Sequence, residues 1–253
     1  MSGSASQDIF EIGAASDRGS VREFNEDYYG VFEPETEELM ASRGVLTVVS
    51  DGMGGHFSGG AASRTAVDAL GEVYFEDSQG DALNALSWAF KEANRRVFEK
   101  VGEGRKGLAG TTCTAVALFG DRVHIAHAGD SRAYLVRDGA MHQLTRDHSV
   151  VGELVRQGML DNDEARSHPH RNIITRAVGL RDEIDIDICR DIRIEEGDIV
   201  LLCSDGLFSM IAEDEIAEIA SGAPPEDACE RLVKRAKEEG GTDNITVIIA
   251  KRL

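Results

Sequence analysis

No two of the four cysteines stand in a C-x-x-C spacing. Cys113, Cys189, Cys203 and Cys229 are scattered, and two of them, Cys113 and Cys203, fall inside apolar strand-like runs, where a free thiol behaves as a small buried hydrophobe. The pattern supports neither a zinc cluster nor a disulfide framework, and it suits a reducing compartment. Long apolar runs are also missing. The run at 199–203 is far too short to span a bilayer. No cationic start followed by an apolar stretch opens the chain, so the expectation is a cytoplasmic protein without a signal peptide. Basic residues are scarce: 27 Lys and Arg against 46 Asp and Glu leave a formal charge of −19. Nucleic acid and anionic membrane would both be repelled, and neither is expected as a partner.

Several phosphate-handling and nucleophile motifs are absent as well. Read from Gly52, G-x-G-x-x-G needs glycine at 57, where Phe57 stands, and no Gly-Lys-Ser/Thr follows Gly60. No G-x-S-x-G surrounds Ser58, and the lysine strand and catalytic loop of protein kinases are missing.

What remains is an ordinary globular composition, 42% apolar and 29% charged over 253 residues, long enough to bury a sizeable core. Strands are predicted at 9–15, 27–32, 44–50, 112–119, 123–127, 133–137, 140–144, 183–193, 198–203 and 245–251. Residues 33–43 read as an acidic loop and 52–60 as a glycine-rich turn leading into a helix over 61–75. A second helix is expected from an Asp81 N-cap to about 101, with an apolar stripe through Leu86, Phe90 and Val97. Two more are expected at 213–220 and 225–239. Residues 146–171 are polar, helical at first, and read as an insertion packed on the body. Antiparallel strand runs punctuated by helix pairs, without β-α-β alternation, predict an α+β fold: two packed antiparallel sheets with helices on the outer faces. No linker or repeat divides the chain, so 1–253 is read as one domain, and as a monomer.

Acids flanked by glycine recur at the ends of the apolar strands. They are Asp51-Gly52, Gly129-Asp130, Asp205-Gly206 and, entering the last strand, Gly241-Thr242-Asp243. Each alone is an ordinary turn sequence. Together, and with no histidine or cysteine among them, they suit hard cations, Mg²⁺ or Mn²⁺. Two such ions can acidify a water and clamp an in-line phosphoryl displacement. A cationic fork for the phosphate is available in Arg18 and Arg22, just ahead of Asn25-Glu26-Asp27.

These segments carry a resemblance. Asp17-x-Gly19-x-x-Arg22-x-x-Asn25-Glu26-Asp27, Asp51-Gly52-Met53-Gly54-Gly55, Gly110-Thr111-Thr112, Gly129-Asp130-Ser131-Arg132, Ser204-Asp205-Gly206 and Asp243-Asn244 are similar, in order and over almost the whole chain, to the metal-dependent serine/threonine phosphatases of type 2C, especially the compact bacterial members. The resemblance implies hydrolysis of phosphoserine and phosphothreonine in proteins phosphorylated by a Ser/Thr kinase, through a metal-bridging water attacking phosphorus in line. It implies that Asp51 bridges two core ions, with the Gly52 carbonyl on the first and Asp205 and Asp243 on the second. By the same resemblance Glu26 and Asp27 support metal-bound waters, Asp130 recruits a weaker third ion, and Arg22 grips phosphate. The insertion at 146–171 resembles the family's substrate-affecting flap. Animal members place a histidine after Asp-Gly as general acid. Here Met53 stands in that position, which leaves the role open between His56 and a metal-bound water. A catalytically silent phosphoprotein scaffold and a metal-dependent phosphatase of a small molecule or a phosphorylated regulator remain as alternative readings.

Overall fold

The structure is a computed structural model that describes residues 9–54, 57–76, 80–102, 109–161, 164–165 and 168–253. In chain order the strands are β1 (Phe10–Asp17), β2 (Asp27–Phe32), β3 (Val45–Met53), β4 (Gly110–Thr111), β5 (Cys113–Phe119), β6 (Arg122–Ala128), β7 (Arg132–Arg137), β8 (Ala140–Gln143), β9 (Asp187–Arg193), β10 (Ile199–Cys203) and β11 (Ile245–Arg252). The helices are α1 (Glu37–Arg43), α2 (Phe57–Glu76), α3 (Ala82–Gly102), α4 (Val150–Arg156), α5 (Asp205–Phe208), α6 (Glu213–Ser221) and α7 (Pro225–Glu238).

The strands form two antiparallel sheets, ordered β1-β11-β10-β7-β8 and β2-β3-β5-β6-β9, with the short β4 paired to the end of β3. Alternation along each strand explains the layering. In β3, Val45 and Val49 face the other sheet, while Leu46 and Val48 face the helices. In β10, Val200 and Leu202 point between the sheets and Leu201 and Cys203 point outward. Both faces of these strands are therefore buried, which is why they read as unbroken apolar runs. Leu70, Tyr74, Leu86 and Phe90 of α2 and α3 cover one sheet. Ile216, Ala228, Leu232 and Ala236 of α6 and α7 cover the other. This is the two-sheet α+β sandwich expected from the strand pattern. Among the described residues no helix is long and apolar enough to cross a membrane.

Three local expectations need correction. Residues 37–43 of the expected acidic loop form α1: the Thr36 hydroxyl accepts from the Leu39 amide at 3.2 Å, Glu37 and Glu38 sit in the first turn, and Arg43 in the last. Cap and dipole stabilise a turn that has no apolar stripe to reveal it. Secondly, Ser58, Gly59 and Gly60 belong to the first turn of α2 rather than to a turn before it. The glycine at 59 answers a spatial demand, since a Cβ there would lie 2.9 Å from the Gly52 carbonyl group. Thirdly, the strand expected from 183 begins at Asp187, and the two-residue β4 was not expected at all. The insertion opens as predicted with a helix, α4, whose first turn is capped by the Ser149 hydroxyl.

Candidate active site

Strand register brings the acids together. Asp27 opens β2 and is paired with Asp51 near the end of β3. Cys203, at the end of β10, is paired with both Val247 of β11 and Arg132 of β7. Asp205, Asp243 and Asp130 therefore lie at one end of that sheet, and the hydrogen bond from Ser204 to Asp27 joins this end to the end of the other sheet that carries Asp27 and Asp51. Gly52 continues the rim: its amide donates to the Glu26 carbonyl at 3.2 Å. A Cβ at Gly52 would lie 2.2 Å from the Gly59 carbonyl oxygen, so only glycine allows the two segments this approach.

Hydroxyls and one amide hold this rim in place. The Asp51 amide donates to Thr112 Oγ1 at 2.9 Å, and Thr111 Oγ1 donates to the Asp51 carbonyl at 2.8 Å. Asn244 is a hub: its Oδ1 accepts from the Glu26 amide at 2.8 Å, and its Nδ2 donates to the carbonyls of Arg18 and Phe24 at 3.0 and 2.9 Å. It thereby fixes the loop that carries Arg22. Ser204 Oγ donates to Asp27 Oδ2 at 2.7 Å and accepts from the Thr246 amide at 3.0 Å. Ser204→Ala would leave the buried Thr246 N–H without that acceptor, at a cost of about 1–3 kcal/mol. Urea denaturation of the chelated protein should show a lower midpoint, and an unchanged midpoint would contradict the assignment. Ser204, Thr111, Thr112 and Asn244 all lie in the recognised motifs, yet their supporting roles could not be read without the fold.

Crowding shapes the electrostatics. Burial, and then the repulsion of Asp205 and Asp243 against two hydroxyl hydrogen bonds, lifts the Asp27 carboxyl to about 7. Asp51 and Asp130 are pushed well above the usual carboxylate range, first by burial and then by neighbouring carboxylates. Asp205 rises to about 6 through burial and Asp243, with Arg22 and a contact to Asp51 opposing. Arg22 reaches across to Asp243 Oδ2 at 2.6 Å, and that ion pair raises its own pKa.

The donors suit hard divalent cations. All are oxygens, and among the described residues Asp27 Oδ1 and Asp205 Oδ1 are buried with no hydrogen-bond partner. Among the same residues no three acidic, histidine or cysteine side chains converge as ligands of a single ion. Asp243, one of the expected ligands, is paired with Arg22 instead.

The expected insertion borders this mouth. It is closed at its base by Val150 N to Ile173 O at 2.9 Å and Thr175 N to His148 O at 2.7 Å. It returns past Val178, which exchanges backbone hydrogen bonds with Thr111 beside Gly52. His168 and His170 lie in it, with rings 5.5 Å apart. Met53 is half-buried on the rim, and His56 lies outside the described residues.

Comparison with known proteins decides the family: the profile "Protein phosphatase 2C" matches residues 20–247. The chain belongs to the protein phosphatase 2C family. It is 40% identical to the protein phosphatase PhpP of Streptococcus pneumoniae over 94% of this chain and 96% of that relative. The structure is similar, at a TM-score of 0.83 and 38% identity, to the PPM Ser-Thr phosphatase MsPP of Mycobacterium smegmatis in complex with cacodylate, covering 96% of this chain and 98% of that one. It is also similar to the catalytic domain of the serine threonine protein phosphatase PstP in complex with 2 manganese ions, at a TM-score of 0.82 and 34% identity, covering 96% and 98%. The chain is thus a protein serine/threonine phosphatase of the bacterial PPM type, and its sandwich is the PPM architecture.

Proposed function

We propose that this phosphatase hydrolyses phosphoserine and phosphothreonine in the substrates of a Ser/Thr kinase, using two Mn²⁺ or Mg²⁺ ions held at the acidic mouth and a weaker third. Asp51 would be shared between the two core ions, with the Gly52 carbonyl on one side and Asp205 and Asp243 on the other. Glu26 and Asp27 would orient their waters, and Asp130 would hold the third ion. Bound there, the ions would supply an acidified water as nucleophile and a positive field for the charge that develops on phosphoryl oxygens. The observation that carries this reading is the placement at one mouth of five buried or half-buried aspartates from different strand ends, close enough to repel one another, two of them with orphaned oxygens.

The chain's own groups do the remaining work. Arg22 is exposed at the mouth, where its planar fork can take two phosphate oxygens. It would leave Asp243 to do so, handing that carboxylate to the core site. Met53 has no ionisable group, so the leaving oxygen must take its proton from elsewhere. The insertion at 146–171 would face the protein part of the substrate, as a flap on a single 1–253 domain. The free cysteines Cys113, Cys203 and Cys229 are buried, in keeping with a reducing, cytoplasmic compartment.

The test is phosphate release from a phosphothreonine peptide by Arg22→Ala. Losing a charge-assisted bond worth about 1.5–3 kcal/mol predicts a roughly 10–100-fold fall in kcat/KM on the peptide. An unchanged value would remove Arg22 from phosphate binding. The formal charge of −19 adds a second expectation. Peptides with basic residues near the phosphate should be preferred, and their kcat/KM should fall as salt rises. Preference for small phosphate esters over peptides at matched concentration would overturn the substrate class.

A further inference from the structure

The turn that carries Asp130 is gripped on both sides by three consecutive residues at the root of the insertion. Gly129 adopts φ +120°, and a Cβ there would lie 2.5 Å from the Thr112 side chain. Its carbonyl accepts from the His148 amide at 2.7 Å, and its own amide donates to His148 Nδ1 at 3.1 Å. Past Asp130, Arg132 forks onto Asp147 with contacts of 3.0 and 2.7 Å, while its guanidinium lies 3.7 Å from the centre of the Phe208 ring. Before it, His127 Nε2 lies 3.0 Å from the Arg146 carbonyl.

The tautomer of His148 follows from these contacts. Since Nδ1 accepts from a backbone amide, the ring hydrogen sits on Nε2. Nε2 has Arg176 Nη1 at 3.0 Å and Asp187 Oδ2 at 3.2 Å; the guanidinium accepts no hydrogen bond and spends its own N–H on Asp187 Oδ1 at 2.6 Å, so the Nε2 hydrogen is left to Asp187 Oδ2. Burial and the nearby Arg176 keep the ring's pKa low, so it stays neutral and Nδ1 stays an acceptor. The order Asp187, His148, Gly129 has the logic of a carboxylate that fixes a histidine tautomer behind a ligand.

We propose that His148 is a positioning residue: oriented by Asp187, it fixes the Gly129 peptide and so sets the direction of the Asp130 carboxylate into the active site. The proposal rests on the role given above to Asp130. It concerns a side chain that contacts Gly129, the neighbour of Asp130, and it makes the root of the insertion part of the catalytic frame.

The experiment compares His148→Leu, which removes both ring contacts, with His148→Asn, whose Oδ1 can stand near the place of Nδ1. Each is made in the natural sequence and in Asp130→Asn. Turnover of a phosphothreonine peptide is read together with calorimetric titration of Mn²⁺ into chelated protein. His148→Leu is expected to lower kcat about tenfold, within the range for removed supporting partners, with KM for the peptide nearly unchanged. It should also weaken the weakest Mn²⁺ step while sparing the tightest. His148→Asn should restore most of both, and in Asp130→Asn neither variant should cost more. Equal losses with and without Asp130 would overturn the proposal, as would an Asn variant no better than Leu. If Asp130→Asn itself changes neither turnover nor Mn²⁺ binding, the role of Asp130 falls and this proposal with it. The core site is judged separately by Asp205→Asn.

Discussion

Asp205→Asn is expected to reduce turnover of a phosphothreonine peptide by at least ~10³-fold, while the chelated protein melts at a higher temperature than the unsubstituted one. The two halves have one cause. Asp205 is placed by α5 and the end of β10, with Oδ1 buried and unpartnered among the described residues. Without cations it is a carboxylate pressed against Asp243 in a desolvated mouth, which is why its pKa climbs to about 6. At pH 7.5 it is ionised at a cost that asparagine avoids in nearly the same shape. Each ~1 kcal/mol recovered should raise Tm by about 2–4 °C for a chain of this size. With cations the balance reverses: asparagine is a poor ligand, and loss of electrostatic stabilisation of the transition state accounts for the rate. Retained activity would remove Asp205 from the site. A lower Tm in chelator would show that its charge is already compensated. The Gly206 backbone is unaffected by the change, which matters because a Cβ at 206 would sit 2.0 Å from the Asn244 carbonyl.

The second large effect is a pH-dependent stabilisation by metal. A carboxyl whose pKa is higher folded than unfolded binds more protons in the folded state between the two values. Folding then weakens as pH rises through that window. Asp27 moves from about 4 in an unfolded chain to about 7, and Asp51 and Asp130 also move upward. In chelator, Tm should therefore fall between pH 5.5 and 7.5. Mn²⁺ must displace those protons at pH 5.5 and meets carboxylates at pH 7.5, so its stabilisation should grow across the same interval. At a hundredfold excess over Kd it amounts to about 2.7 kcal/mol, or roughly 5–10 °C. Thermal melts with and without Mn²⁺ at the two pH values measure this. A metal-induced shift that is equal at both values, or larger at pH 5.5, would show that these carboxyls are not what the ions engage.

Much of the frame was legible in the residues themselves. Runs such as 45–49 and 199–203 are apolar on both faces because each face is buried, and Asp-Gly or Gly-Asp at their ends marks where the chain leaves the sheet. The placement of Asp27, Asp51, Asp130, Asp205 and Asp243 at one mouth follows from register within each sheet and from the packing that sets Ser204 against Asp27, neither of which the strand order alone reveals. Helix α1 was hidden because its stability is in caps and charges rather than an apolar stripe. The least legible features are contacts between distant positions. Arg22 meets Asp243 and Asn244 ties the loop of Arg18 and Phe24, both across more than two hundred residues. As a histidine of the insertion His148 reads as structural or substrate-facing, and its partner emerges only when the fold sets its ring against the Gly129 amide. Local sequence carries chemistry where a motif is contiguous and loses it where two loops must meet.

The most direct test of the account is phosphate release from a phosphothreonine peptide as Mn²⁺ is returned to fully chelated enzyme. The account predicts no turnover in chelator, and recovery that follows occupancy of at least two ions per chain. Turnover that persists in chelator, or full recovery on a single ion, would contradict a reaction centred on Asp51 as a shared ligand.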